Sequence, residues 1–102
     1  MPVSPPIWYN PPLARWIKCR VESELSPQGY LVELEIEDEQ RSIVAPYGSV
    51  KPPTTIPGDG ELFVVVVAEL PGDTRVLTEL PATPFRGSQR LKVHPDILQE
   101  VA

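Results

Sequence analysis

The chain has 102 residues, and its 14 aspartates and glutamates against 9 lysines and arginines give a net charge of −5 at pH 7. Leucine, isoleucine, valine and phenylalanine account for 30 residues, well above the level of about one fifth below which charged chains tend to stay disordered. This composition predicts one domain with one hydrophobic core. The negative charge argues against a protein that binds nucleic acid by neutralising phosphates, and against adsorption to anionic membranes.

Few residues carry reactive chemistry. Cys19 is the only cysteine and His94 the only histidine, so the chain can form no internal disulfide and shows no zinc-ligand spacing. A single cysteine favours a reducing cytoplasm. No signal peptide is visible, and the longest apolar run, residues 62–68, is far shorter than the about 20 residues that cross a membrane. We therefore expect a cytoplasmic protein with no cofactor, no metal, no membrane partner and no catalytic residue.

Residues 1–15 contain five prolines, a density that excludes a helix. We predict an extended N-terminal arm over 1–15, in a polyproline-II-like conformation, followed by a single β-domain over 16–102. The arm would dock through its aromatic side chains, with Trp8 substantially buried. The acceptor is left open between the same chain and a second copy, with the second copy preferred. The residues proposed to dock the arm are Pro5, Trp8 and Tyr9.

Alternating apolar and polar residues predict strands along the rest of the chain. Ile17, Cys19 and Val21 fall on one face of the first strand, so Cys19 is expected to be buried as a small hydrophobe. Residues 30–37 give the clearest alternation, whereas 62–68 are continuously apolar, which is typical of a central strand covered on both faces. The predicted strands cover 16–25, 30–37, 41–45, 61–70, 74–80 and 90–94.

Five to six short strands separated by turn residues predict an all-β fold. We expect a small single-domain barrel or sandwich of SH3-like or OB-like size, with the proline-rich arm at its N-terminus. Pro95 and Asp96 predict a short helical turn near the C-terminus, because proline favours the first helical position.

The loop before the last predicted strand is the best candidate for binding an anion or an acidic partner segment. Two arginines and a serine lie close together there, and guanidinium groups bind phosphates and carboxylates well. The alternative is a solvated loop that only keeps the sheet edge soluble. The candidate residues are Arg86, Ser88 and Arg90.

Acidic residues recur on the polar face of the second predicted strand. Glu33, Glu35 and Glu37 alternate with apolar residues, so we expect them to form one acidic face that docks a basic partner. The alternative is that their charges only protect an exposed sheet face from aggregation. Alternating strand residues share an open face and not a cleft, so the pattern does not favour catalysis.

Three classes of function remain. The preferred hypothesis is a non-enzymatic protein–protein interaction or assembly module that docks on a protein partner or on a second copy of itself. The second is a small barrel that binds single-stranded nucleic acid through the basic 86–92 segment, although the net charge makes nucleic acid an unfavourable partner. The third is an enzyme that uses Cys19, Arg86, Arg90 or His94.

Overall fold

The computed structural model describes residues 4–37 and 39–101. Within this part of the chain, eight strands form one antiparallel sheet that curls into a half-barrel. The path through the sheet is β3-β2-β1-β5-β6-β7, with β4 added to β5 and β8 added to β1. The strands are β1 Ile7–Leu25, β2 Gly29–Ile36, β3 Glu39–Ala45, β4 Val50–Lys51, β5 Gly58–Glu69, β6 Val76–Glu79, β7 Arg90–Val93 and β8 Leu98–Glu100.

The fold class is thus all-β, as predicted. The single curled sheet favours the barrel over the sandwich among the two predicted architectures. The described strands number eight and not five to six, because β4 and β8 have only two and three residues and are too short to show alternation. Short 3₁₀ turns occupy Tyr47–Ser49 and Pro95–Ile97. No helix in residues 4–37 and 39–101 is long and apolar enough to cross a membrane.

The core lies inside the curl of the sheet. The inward side chains of β2 are those that alternation predicts: Val32, Leu34 and Ile36 are all buried. On β1, Ile17, Cys19 and Val21 are buried as expected. Leu25, which the alternation places on the same face, is exposed, because a register shift between Val21 and Ser23 ends the simple alternation.

Strand β5 occupies the centre of the sheet, between β1 and β6, as predicted for the continuous apolar run. Its two faces are not equally covered, however. Leu62, Val64 and Val66 are buried, while Phe63 and Val65 on the outer face are only half-buried. The expected two-sided burial is therefore wrong for this part of β5, where the outer face keeps partial contact with solvent.

The predicted arm is largely part of the sheet. Its residues 1–3 lie outside the described residues, but β1 already begins at Ile7. Residues 7–8 and 13–15 pair with β5 of the same chain, and a register shift between Trp8 and Leu13 leaves 9–12 as a bulge. Strand β1 runs without a break through residues 15 and 16, and the segment packs against its own chain through backbone pairing.

Trp8 is 54% exposed, so it is not substantially buried against its own chain. Its partner across the sheet is Ala68, whose small side chain covers little of the indole. The strand continues there without a neighbour on its other edge, since β8 and β2 begin their pairing only at Arg15 and beyond. The Arg90 guanidinium lies 5.2 Å from the centre of the indole ring.

The connection between β6 and β7 contacts the edge strand β3, and we call this line of contact the seam. The Phe85 backbone N–H donates to the Ser42 carbonyl at 2.9 Å. The Arg41 Nε–H donates to the Ser88 carbonyl at 3.0 Å. A curled sheet with two free edges would invite further pairing, and these contacts cover part of the β3 edge.

Candidate functional site

A split in the sheet creates a large cavity in the described structure. Strand β1 pairs with β5 along one edge, while its other edge is shared between β8, from Arg15 to Ile17, and β2, from Arg20 to Leu25. Lys18 and Cys19 therefore have no described strand partner on that edge. Beyond Glu33, β2 diverges from β1 and pairs only with β3, and this divergence opens a groove.

The groove holds about 650 Å³, within the range of about 300–1,000 Å³ that is typical of ligand sites. A second cavity of about 310 Å³ shares Glu33 and Gln40 with it and continues to Phe85 and Arg86 at the seam. We call these two cavities together the trench. The groove is lined by Lys18, Cys19, Arg20, Glu33, Glu35, Gln40, Lys51, Pro52, Asp59, Gly60, Glu61 and Gln99.

Charged residues are distributed over the trench in rows set by the strand register. Arg20 on β1 lies opposite Glu33 on β2 and Asp59 on β5. In the next outward-facing row, Glu61 lies opposite both Lys18 on β1 and Lys51 on β4. Directly opposed residues of unlike charge stabilise antiparallel sheets modestly.

The carboxylates of the trench nevertheless lack close ionic partners. Arg20 donates at 2.7 Å to Glu22, which lies outside the lining. Lys51 places its ammonium 4.4 Å from the centre of the Trp16 ring, in cation–π geometry. Among the described residues, no lysine, arginine or histidine nitrogen comes within 4.0 Å of a carboxylate oxygen of the four acids that line the groove, Glu33, Glu35, Asp59 and Glu61.

Cys19 is one of the residues that line the groove, and it also belongs to the buried core cluster. Its side chain is buried, and burial raises the pKa of its thiol from 9.0 to about 12, with a further contribution from the negative charge of Glu61. The thiol is therefore protonated at neutral pH, and a protonated thiol is a poor nucleophile.

The predicted acidic face is divided by the structure. Glu33 and Glu35 both line the trench, but Glu37 does not join them. Strand β2 ends at Ile36, and Glu37 adopts a left-handed backbone with φ of 54°. Its carboxylate instead reaches His94, 3.0 Å from Nε2, and Arg75, 4.0 Å from Nη1. The side chain therefore helps to hold the β2–β3 turn against the far side of the seam.

The predicted anion-binding loop is used largely for contacts within the chain. The Ser88 carbonyl accepts from Arg41, and its hydroxyl accepts from the Arg90 backbone N–H at 3.1 Å. The Arg90 guanidinium pairs with Glu79 at 3.2 Å. Only Arg86 reaches the trench, at its seam end, so the three residues do not converge on one point.

The three residues proposed for the docking arm also separate. Pro5 lies before β1 and is exposed, and Tyr9 is half-buried in the bulge. Trp8 pairs with β5, and its ring lies near Arg90. They are neighbours along the edge of the sheet, but none of them lines the trench.

Sequence reasoning missed the residues that complete the trench, notably Lys18, Lys51 and Asp59. Alternation does place Lys18 and Arg20 on the outer face of β1. It does not show which strands neighbour β1, and β4, which brings Lys51, is too short to detect. No group of three or more histidine, cysteine, aspartate or glutamate side chains in the described part of the chain is arranged to hold a metal ion.

Comparison with known proteins gives no relative on which to base an assignment: no protein-family model, no curated protein and no solved structure matches the chain.

Proposed function

We propose that the protein is a non-enzymatic interaction module that binds a basic, extended segment of a partner protein in the trench. One observation carries the proposal: four carboxylates line a single cavity of ligand size without an ionic partner within 4.0 Å among the described residues. A lysine or arginine side chain of a partner would supply the missing charge and hydrogen-bond donors.

Charge balance favours a basic occupant over an acidic one. Four acids and three basic residues line the groove. Of the three basic residues, Arg20 is already paired with Glu22, Lys51 lies over Trp16, and only Lys18 is left to face the acids. The chain as a whole carries a net charge of −5, so its field attracts a basic segment during diffusion and raises the association rate.

The dimensions favour an extended peptide. The trench crosses β3, β2, β1, β5 and β4, and four inter-strand spacings of about 4.8 Å make it roughly 19 Å long. An extended chain rises about 3.3 Å per residue, so about six residues span it. Phe85, 68% exposed at the seam end, offers an apolar contact for one end of such a segment.

The fold and the cellular setting complete the hypothesis. We propose that the half-barrel works as a small SH3-like barrel, which binds its ligand in a surface groove and not in a deep pocket. The free thiol of Cys19 supports a reducing, cytoplasmic setting. Its protonated state supports a binding function over nucleophilic catalysis.

Binding of a labelled peptide of six lysines, followed by fluorescence anisotropy at low and at physiological salt, tests the proposal. The double substitution Glu33→Gln and Glu35→Gln should weaken binding about fivefold, because two partly exposed charge pairs together contribute about 1 kcal/mol. It should also flatten the salt dependence.

A matched control separates the trench from general attraction to an acidic protein. The double substitution Glu69→Gln and Glu100→Gln changes the net charge equally, at two exposed acids outside the trench. It should leave the affinity within about twofold of the parent. Equal weakening by both double variants would show that the peptide follows net charge and that the trench is not its site.

A second candidate function is the binding of single-stranded nucleic acid. Trp8 with Arg90 and Trp16 with Lys51 place cations beside aromatic rings on the outer face of the sheet, a combination on which bases stack. In a low-salt gel shift with a labelled oligonucleotide, this function requires binding that Trp8→Ala weakens. If the oligonucleotide migrates unshifted under those conditions, the protein does not have this second function.

A further inference from the structure

The first part of β1 is an edge with unusual properties, which we call the uncharged edge and define as residues 7–14. These residues pair with β5 on one side only, since β8 begins its pairing at Arg15. Exposed large apolar side chains concentrate here: Ile7 and Trp8 are each 54% exposed and Leu13 is 36% exposed. Val101, 46% exposed, follows directly after β8, which pairs with the next part of β1.

The edge also lacks charge. No residue from 4 to 14 carries an ionised side chain at neutral pH. In a chain with a net charge of −5, this is therefore a part of the surface where two copies can approach with little repulsion. Charged side chains are a common protection of sheet edges against association. Residues 7–14 carry none, and the charges beside them come from Glu69, opposite Ile7, and from Arg90, 5.2 Å from the Trp8 ring centre.

We propose that a second copy of the chain docks on the uncharged edge and forms a dimer with two-fold symmetry. A two-fold axis places the same patch on both sides, so each copy covers the apolar side chains of the other and the assembly closes. Pro11 and Pro12 lie in the bulge of β1 and provide no backbone N–H. The prolines therefore prevent a continuous strand ladder, and the contact is made mainly by side chains.

The area available suits such a dimer. Ile7, Trp8, Leu13 and Val101 together expose about 250 Å² of apolar surface, taking about 100 Å² for a whole aliphatic side chain and about 230 Å² for an indole. The exposed prolines 5, 6, 11 and 12 raise this to roughly 400 Å². A small specific interface buries about 600 Å² per partner, of which about 57%, or roughly 340 Å², is apolar. The uncharged edge therefore exposes enough apolar surface for such an interface.

This inference is independent of the proposed function, because none of these residues lines the trench. A variant that separates the copies should bind the lysine peptide unchanged. A variant that loses the peptide should remain dimeric.

Sedimentation equilibrium of the full chain over a wide range of concentrations tests the dimer. Leu13→Glu places a charge on the apolar edge of each copy and should raise the dimer dissociation constant by at least about tenfold. Phe85→Glu, at an exposed aromatic on the seam loop, is the matched control and should leave the dissociation constant unchanged.

Trp8→Glu provides a second test if Leu13→Glu fails to fold by circular dichroism, since more of Trp8 is exposed. The parent chain remaining monomeric throughout the range would overturn the proposal. A dimer that resists both edge substitutions would overturn it equally, because the copies would then meet at another surface.

Discussion

Two neighbouring valines of β5 should respond very differently to the same substitution. Val66 is 4% exposed inside the curl of the sheet, whereas Val65 is half-buried on the outer face, opposite Glu79 of β6. Val66→Asp removes apolar burial worth about 1.5 kcal/mol. Keeping the buried carboxyl neutral at pH 7 through a pKa shift of about three units costs about 4 kcal/mol more.

The sum, about 5.5 kcal/mol, lies within the total stability of about 5–15 kcal/mol expected of a small domain. Val66→Asp should therefore remove a large part of the free energy of unfolding. Val65→Asp loses about half as much apolar burial and gains repulsion from Glu79 of about 0.2–1 kcal/mol, so it should cost only about 1–2 kcal/mol. Val65→Lys faces the same Glu79 with opposite charge and should cost about 0.5 kcal/mol less than Val65→Asp.

Urea denaturation followed by tryptophan fluorescence measures the three free energies of unfolding. The order of cost should be Val66→Asp, then Val65→Asp, then Val65→Lys. Equal losses from the two aspartate variants would mean that both faces of β5 are covered alike. If Val65→Lys destabilises the protein more than Val65→Asp, the charge of Glu79 does not determine the difference between the two variants.

Two further predictions concern the thiol and the seam. Because burial raises the pKa of Cys19 from 9.0 to about 12, alkylation at pH 8 should be roughly a thousandfold slower in the native protein than in urea. The contribution of this thiol to the free energy of unfolding should be constant below pH 9 and should fall as the pH rises towards 12, because the thiol of the unfolded chain ionises first. Fast alkylation of the native protein would show instead that the thiol is exposed to solvent. Gly87 and Gly72 both have positive φ, 81° and 83°, but only at Gly87 would an added Cβ meet another side chain, 2.6 Å from Cζ of Arg41. Gly87→Ala should therefore destabilise by about 1 kcal/mol more than Gly72→Ala in thermal melts, and equal losses would show that Arg41 moves aside without cost.

Local pattern predicted much of the fold. Period-two alternation over 30–36 placed Val32, Leu34 and Ile36 in the core, and a run of apolar residues identified β5 as central. These properties depend on neighbours along the chain. The pairing of 7–15 with β5 does not, and only two of the five prolines that suggested a separate arm, Pro11 and Pro12, lie in a bulge of β1. Proline composition excludes a helix, but it does not exclude a strand that is interrupted.

The trench was less accessible to sequence reasoning. Glu33 and Glu35 were identified because they alternate on one strand, and Arg86 because it lies in a basic loop. The residues that face them come from β1, β4 and β5, and only the register between strands brings them together. Glu37 was grouped with Glu33 and Glu35 because the exact end of β2, one residue earlier, is not encoded in the alternation.

The sharing of one edge of β1 between β2 and β8 has a consequence for how the chain folds. The β1–β2 hairpin joins segments adjacent in sequence, but β1 meets β8 only when Ile17 and Leu98, near opposite ends of the chain, come together. The extensive pairing of β1 with β5 is also non-local. Folds dominated by such distant contacts have high contact order and fold in milliseconds to seconds, because loop closure must precede the contacts that stabilise it. During synthesis on the ribosome, β1 therefore cannot complete its pairing until residues 98–100 have emerged.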